Sequence, residues 1–149
     1  MRIRIAAIGL TTAAILTAPA ALPSSPSFPY GLIRRSCAPW DGPAIDVRLT
    51  TETADCKRET EPFVDIGVWR GLPLHAGQEV KFGSGSDAGF ASRCAREGNC
   101  ERAESGRIVF DAYDEDSGAR GHYELQFKGG EIVKGSFDAK WCKQRVICG

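Results

Sequence analysis

Six cysteines are the residues of this 149-residue chain whose type and spacing point most directly to chemistry. They all follow an apolar N-terminal stretch, as expected for a chain that matures in an oxidising compartment and forms disulfides. Zinc is disfavoured, because tetrahedral thiolate sites usually take cysteines about two to four residues apart. The closest cysteines here enclose five residues.

Two cysteine pairs are near enough in sequence to close as local loops. One encloses AREGN, the other encloses KQRVI, and the first two cysteines are left to pair with each other. In the alternative that stays open, Cys37 or Cys56 is joined to the C-terminal pair. The predicted bridges are Cys37–Cys56, Cys94–Cys100 and Cys142–Cys148.

The sharpest acid–base set combines His122 with Asp111 and Asp138. Pairing Phe110 with Tyr123 places Asp111 opposite His122, and the register predicted below for the last hairpin places Asp138 on the other side of the imidazole. Such carboxylates favour the charged imidazole, and could orient it as a base or complete a weak metal site. The competing interpretation, an exposed ion pair on a solvated sheet face, is favoured because no nucleophile is placed nearby.

Three further segments look like ligand loops but lack the required pattern. DAYDEDSG, residues 111–118, fails the Asp-x-Asp-x-Asp-Gly calcium spacing and is predicted to be a polar hairpin turn. GSGSDAG, residues 83–89, is neither a phosphate loop nor a nucleophile elbow, and is predicted to connect two strands. His75 is expected on a surface loop flanked by proline and glycine. No metal or cofactor site is predicted.

Tryptophan supplies the remaining binding candidates, because its indole combines a large contact area with a polar N–H. The three are Trp40, Trp69 and Trp141. Trp141 stands beside a cysteine and is expected to pack against a disulfide. Trp69 and Arg70 are the predicted ligand or partner site, because Trp69 falls on the face opposite the apolar side of its strand.

Short strands must position all of these side chains. Alternation of apolar and polar residues recurs along the chain, and many of the seventeen glycines punctuate it. This pattern predicts an all-β fold, a small antiparallel β-barrel or sandwich of about seven or eight strands. The candidate strands are IDVRLTT, FVDIGVWR, QEVKF, AGFASRC, RIVFDAY, RGHYELQF and VKGSFDAKW.

The last hairpin has a register that burial should select. A two-residue Gly-Gly turn would place Lys134 on the buried face. A three-residue loop, residues 129–131, instead pairs Phe127 with Val133 and keeps the apolar side chains together. Since a one-residue slip inverts every side chain, the three-residue loop is predicted.

The N-terminal region predicts export. Two arginines precede seventeen uncharged residues that end in small side chains, the arrangement of a secretory signal. We therefore expect a cleaved signal peptide over residues 1–20, the alternative being an uncleaved anchor. Residues 21–36 hold three prolines among serines and predict an extended linker. Residues 37–149 are then a single β-rich domain.

The charge balance restricts the partners. Removing residues 1–20, which hold two of the 19 basic residues and no acidic one, leaves 17 basic against 19 acidic side chains. A near-neutral chain carries no electrostatic footprint for nucleic acid or an anionic membrane. After signal cleavage no stable membrane insertion is expected.

These observations favour a secreted or periplasmic binding or envelope-interaction module without catalytic activity. Its partner would be an unknown protein or envelope component. Two alternatives remain, a secreted inhibitor that presents the loop 94–100 to a foreign hydrolase, and a small hydrolase that uses His122 or His75.

Overall fold

A computed structural model describes residues 26–58 and 60–149, and these form an all-β fold of nine strands. The predicted signal peptide and the first five residues of the predicted linker lie outside the described residues. The elements are β1 (Tyr30–Cys37), β2 (Pro43–Thr50), β3 (Phe63–Val68), β4 (Gln78–Gly83), β5 (Gly89–Arg96), β6 (Asn99–Arg102), β7 (Ser105–Asp114), β8 (Gly118–Gln126), a 3₁₀ turn (Lys128–Gly130) and β9 (Ile132–Trp141).

The strands build one sheet that curls into a half-barrel, in the order β4-β7-β8-β9-β1-β2-β3-β5-β6. The all-β prediction is confirmed, and all seven candidate strands are present. The structure adds β1 and β6, and β1 pairs in parallel with β9, so the prediction of seven or eight antiparallel strands is corrected. The described residues contain no apolar helix of membrane-spanning length.

The concave side of the sheet is filled by the predicted alternating apolar residues. Ile45, Val47 and Leu49 of β2 point inward and are at most 5 % exposed. The aromatic rings of Phe110 and Phe137 meet edge to face at 6.2 Å between centroids. Burial of such side chains is the main stabilising contribution, about 1.5–3 kcal/mol each. The interior is therefore a packed core.

The packed structure begins before Cys37, which corrects the predicted linker. Phe28 is 1 % exposed, and its backbone N–H donates to the hydroxyl of Tyr123. β1 then lies between β9 and β2 in the middle of the sheet. Its alternation is weak because Gly31 occupies an inward position where a Cβ would crowd Leu49. Arg35 shares this face, so Ile33 is the one large apolar side chain on it, and the sequence of β1 lacks the alternation that predicts a strand.

The convex side of β2 and β3 is also covered at one end. Phe63 and Thr50 are outward-facing but at most 1 % exposed, and Arg48 is 7 % exposed. The Arg48 guanidinium lies 4.1 Å from the centre of the Phe63 ring and forms a two-pronged ion pair with Asp65. The rest of this convex side is the part that can present side chains to a partner.

The last hairpin confirms the loop length and corrects its position. The loop contains three residues, Lys128–Gly130 rather than 129–131, because the Phe127 N–H donates to the Glu131 carbonyl. Val133 therefore pairs with Leu125 instead of Phe127. The shift of two residues preserves the facing of every side chain, so the predicted buried face is correct.

Disulfide pairing differs from the prediction at two of the three bridges. Only Cys94–Cys100 is confirmed. The C-terminal tail continues alongside β1 in the same direction, with the Cys142 N–H donating to the Ile33 carbonyl and the Gln144 side-chain amide to the Arg35 carbonyl. This path carries the last cysteine away from Cys142. The other bridges are Cys37–Cys148 and Cys56–Cys142.

Candidate functional site

The histidine set predicted from the sequence is only partly brought together. His122 Nδ1 lies 3.2 Å from Asp111 Oδ2, and both side chains are exposed. Asp138 lies opposite Arg120, two residues from the predicted register, and His122 faces Ser136 instead. The structure therefore leaves an exposed His–Asp pair on an open sheet face, a type of contact that contributes little to stability.

A β-bulge produces the Asp111–His122 contact. Val109 pairs with His122 and Phe110 with Gly121, and the register then shifts so that Ala112 pairs with Arg120. Asp111 occupies the bulge, which turns its side chain toward the histidine. The predicted contact is present, although the predicted pairing of Phe110 with Tyr123 is wrong.

The other polar segments form turns, as expected. Asp114 accepts hydrogen bonds from the backbone of Asp116 and from both backbone and hydroxyl of Ser117, which lowers its pKa. His75 is exposed, and its Nδ1 lies 3.0 Å from the neighbouring Ala76 carbonyl. In the described part of the chain, no three His, Cys, Asp or Glu side chains cluster in a way that could hold a metal ion.

Trp69 belongs to a row of three aromatic rings on the convex side, which we call the aromatic row: Trp40, Trp69 and Phe90. Trp40 and Trp69 meet edge to face at 5.9 Å between centroids, and Trp69 and Phe90 are tilted at 5.5 Å. Trp40 is 44 % exposed, and the other two are half-buried. The row crosses from the β1–β2 loop over β3 to β5.

Two glycines make room for these rings. A Cβ on Gly67 would overlap the Phe90 ring and approach the Trp69 indole nitrogen at 3.2 Å. A Cβ on Gly42 would likewise reach Trp40. The rings therefore lie against the backbone of the sheet, because glycine leaves the space that a side chain would fill.

Arginines flank the aromatic row at both ends. The Arg70 guanidinium lies 4.2 Å from the centre of a Trp40 ring and is held there by Asp87, at 3.0 Å. Arg102 is exposed, with its guanidinium 5.8 Å from the Phe90 ring. A guanidinium over an aromatic face is attracted by the ring's electron density, so the Arg70–Asp87 pair orients Trp40.

A polar cluster of Arg34, Ser36 and Asp46 lies next to the aromatic row. Asp46 pairs directly with Gly67, over which the Phe90 ring lies, so the backbones at these two positions are one strand spacing, about 4.8 Å, apart. The Ser36 hydroxyl donates to Asp46 Oδ1 at 2.9 Å, and Arg34 Nε lies 3.9 Å from Oδ2. Burial raises the pKa of Asp46, although the serine and the arginine act in the opposite direction.

The structure thus assembles a surface of which the sequence indicated a part. Trp69 and Arg70 were predicted, and Trp40 was a candidate. Phe90 and Asp46 were not identified, because their approach depends on the pairing of β2, β3 and β5, which is long-range. Comparison with models of known protein families, with curated proteins and with solved structures finds no match.

Proposed function

We propose that this protein is a binding module without catalytic activity that works after secretion, in a periplasm or outside the cell. Its contact surface is the aromatic row. The three disulfides fit an oxidising compartment. The observation that carries the proposal is the set of contacting rings, Trp40, Trp69 and Phe90, flanked by Arg70 and Arg102 on the convex face.

The residue types support this use. Tryptophan and arginine are over-represented among the side chains that dominate binding energies at protein surfaces. Here the rings are ordered before any partner binds. Trp40 packs against Arg70, and Phe90 packs directly over Gly67. Rings that are already ordered lose little conformational entropy on binding, which favours affinity.

The inhibitor alternative receives less support. Its feature would be the β5–β6 hairpin closed by Cys94–Cys100. The tip of that hairpin is tied to the body of the molecule, because the Glu97 N–H donates to Glu61 and the Glu97 carboxylate lies 3.5 Å from Arg48. An inhibitory loop must enter an active site, and a tip whose backbone and side chain already contact the rest of the protein has fewer groups free to contact an enzyme.

Capture of the natural partner tests the proposal. The mature secreted protein, cross-linked to material from its own envelope and medium, is compared with Trp69→Ala and Trp40→Ala. We expect these variants to lose capture, since truncating a dominant interface residue costs at least about 2 kcal/mol, roughly thirtyfold in affinity. Ile132→Ala, which removes an exposed apolar side chain at the β8–β9 hairpin, is the control and should capture normally.

Two results would contradict the proposal. One is unchanged capture by both tryptophan variants. The other is a hydrolytic activity of the wild type that disappears in folded His122→Ala or His75→Ala, because the histidines would then be catalytic.

A further inference from the structure

The polar cluster beside the aromatic row offers hydrogen-bonding groups with spare capacity. Within the described part of the chain, the one ion-pair contact of Asp46 Oδ2 is with Arg34 at 3.9 Å, and the side chains of Asp46 and Arg34 are 29 % and 35 % exposed. The indole N–H groups of Trp40 and Trp69 donate no hydrogen bond within residues 26–58 and 60–149. A ligand on this surface would therefore meet acceptors and donors next to ring faces.

The charges of the surface are largely paired. Arg34 faces Asp46 and Arg70 is bonded to Asp87, so both guanidinium–carboxylate pairs are close to neutral as units. Arg102 is the flanking cation without an ion pair among the described residues. Such a surface exerts little attraction on a polyanion, whose binding requires several unpaired lysines or arginines.

The surface is long rather than deep. The ring centroids follow one another at 5.9 and 5.5 Å, and Phe90 also lines an open cleft of about 530 Å³ beside β4 and β5. Phe82, Phe90 and Arg102 are among the residues that line this cleft. An extended chain fits such a path better than a compact small molecule does.

Hydroxyl-rich chains with apolar faces have the matching chemistry. A pyranose ring presents C–H groups on its face, which pack on aromatic side chains, and hydroxyls at its rim, which bond to carboxylates, guanidinium groups and indole N–H. Paired charges suit such a ligand because they supply donors and acceptors without a net field.

We propose that the aromatic row and the polar cluster together bind an uncharged, extended saccharide chain, whose C–H groups pack on the exposed parts of the rings while Asp46 and Arg34 bond its hydroxyls. This inference rests on the proposed binding function and assigns the chemical class of its ligand. A protein partner is the competing occupant, and the experiment below separates the two.

The test titrates the mature protein with two soluble probes, cellohexaose and the hexamer of β-1,4-linked N-acetylglucosamine. Calorimetry and tryptophan fluorescence measure binding. We expect saturable binding of at least one probe with a change in tryptophan emission, unaltered between low and high salt because the ligand is neutral. Trp69→Ala should weaken binding at least tenfold, and Asp46→Asn several-fold.

Control variants keep the result interpretable. Ile132→Ala should bind as the wild type does, and circular dichroism shows whether each variant is folded. Should Trp69→Ala fail to fold, Trp40→Ala serves in its place, because that ring is on a loop and 44 % exposed. Binding of both probes that persists unchanged in every aromatic variant overturns the inference.

The two proposals fail in different ways. If neither hexasaccharide binds, while partner capture from the envelope still depends on Trp69, the saccharide inference is wrong and the binding module remains. If neither probe binding nor capture depends on the aromatic row, both are wrong.

Discussion

Asp46 shows how a single residue connects stability with the candidate site. It is a carboxylate on the convex side, beside Gly67 and the aromatic row, and it has lost much of its contact with water. Ser36 and Arg34 compensate this loss in part. A partly desolvated carboxylate costs stability, and such a group is commonly retained where it meets a ligand.

The pH dependence of unfolding tests this description. Since burial raises the pKa of Asp46 in the folded state, the folded protein holds that proton more tightly than the unfolded chain does. The contribution of Asp46 to stability therefore falls as the pH rises from its ordinary value of 3.8 through the folded pKa. Asp46→Asn lacks this loss, so the stability of the variant relative to the wild type, measured as the difference in free energy of unfolding, should increase as the pH rises across this window.

Urea unfolding at about pH 3.5 and about pH 7 measures the difference, since these values lie on either side of the ordinary range for aspartate. The gain should be complete at neutral pH. A variant that instead loses stability relative to the wild type on going from acid to neutral pH would show that Asp46 is stabilised as the anion.

His122 shows what could be predicted for a residue and what could not. The alternation in RGHYELQF places its side chain outward, and the structure agrees. Its contact with Asp111 was predicted from a register that is wrong, because Asp111 reaches the histidine through a bulge that shifts the register between Phe110 and Ala112. The alternation of apolar and polar residues in the sequence does not show where a bulge shifts the strand register, so contacts that depend on a bulge cannot be predicted from it.

At the scale of elements, strands with a clear alternation were predicted and those without it were missed. β2 carries apolar residues at every second position, β9 does so at every inward position except Gly135, and both were identified with the correct buried faces. β1 places glycine at an inward position, and β6 has four residues, all at least partly exposed. In both, tertiary pairing decides the conformation, since local preference for strand is weak.

The β3–β5 pair makes the aromatic row possible, and Gly67 is the position on which it depends. Gly67→Ala introduces a Cβ that overlaps the Phe90 ring, so the ring must move off the sheet. We expect a loss of about 1–3 kcal/mol in the free energy of unfolding, as for other overpacked sites. The near-ultraviolet circular dichroism of the neighbouring tryptophan should change with it.

A double-mutant cycle supplies the control for this prediction. In the Phe90→Ala background the obstructing ring is absent, so the added methyl of Gly67→Ala should cost little. An equal cost in both backgrounds would mean that the glycine is required by the backbone of β3 and not by the ring above it.

At the scale of the molecule, two disulfides join parts of the chain that are far apart in sequence. Cys37–Cys148 spans 111 residues and Cys56–Cys142 spans 86, whereas Cys94–Cys100 spans six. Short loops are the safest choice when only the sequence is known. That choice is wrong for two bridges here, because the parallel pairing of β1 with β9 places the C-terminal tail next to the first strand.

The three bridges should therefore differ in what they contribute. On the chain-entropy account, cross-links over loops of this length contribute about 4.5–5 kcal/mol for each long bridge and about 2.3 kcal/mol for the short one. Replacing both cysteines of a bridge by serine, one bridge at a time, should destabilise the protein in that order in urea unfolding. A short bridge whose removal costs as much as a long one would contradict this ranking.

The position of β1 between β9 and β2 has a consequence for how the chain must mature. A chain that crosses a membrane from its N-terminus exposes Cys37 and Cys56 long before their partners, Cys148 and Cys142. Oxidation in order of emergence would join these two early cysteines to each other, which is a non-native pair. In a chain secreted as proposed above, native pairing therefore requires either that oxidation waits until the last strand has arrived or that an early bridge is exchanged afterwards, and a disulfide isomerase would speed that exchange.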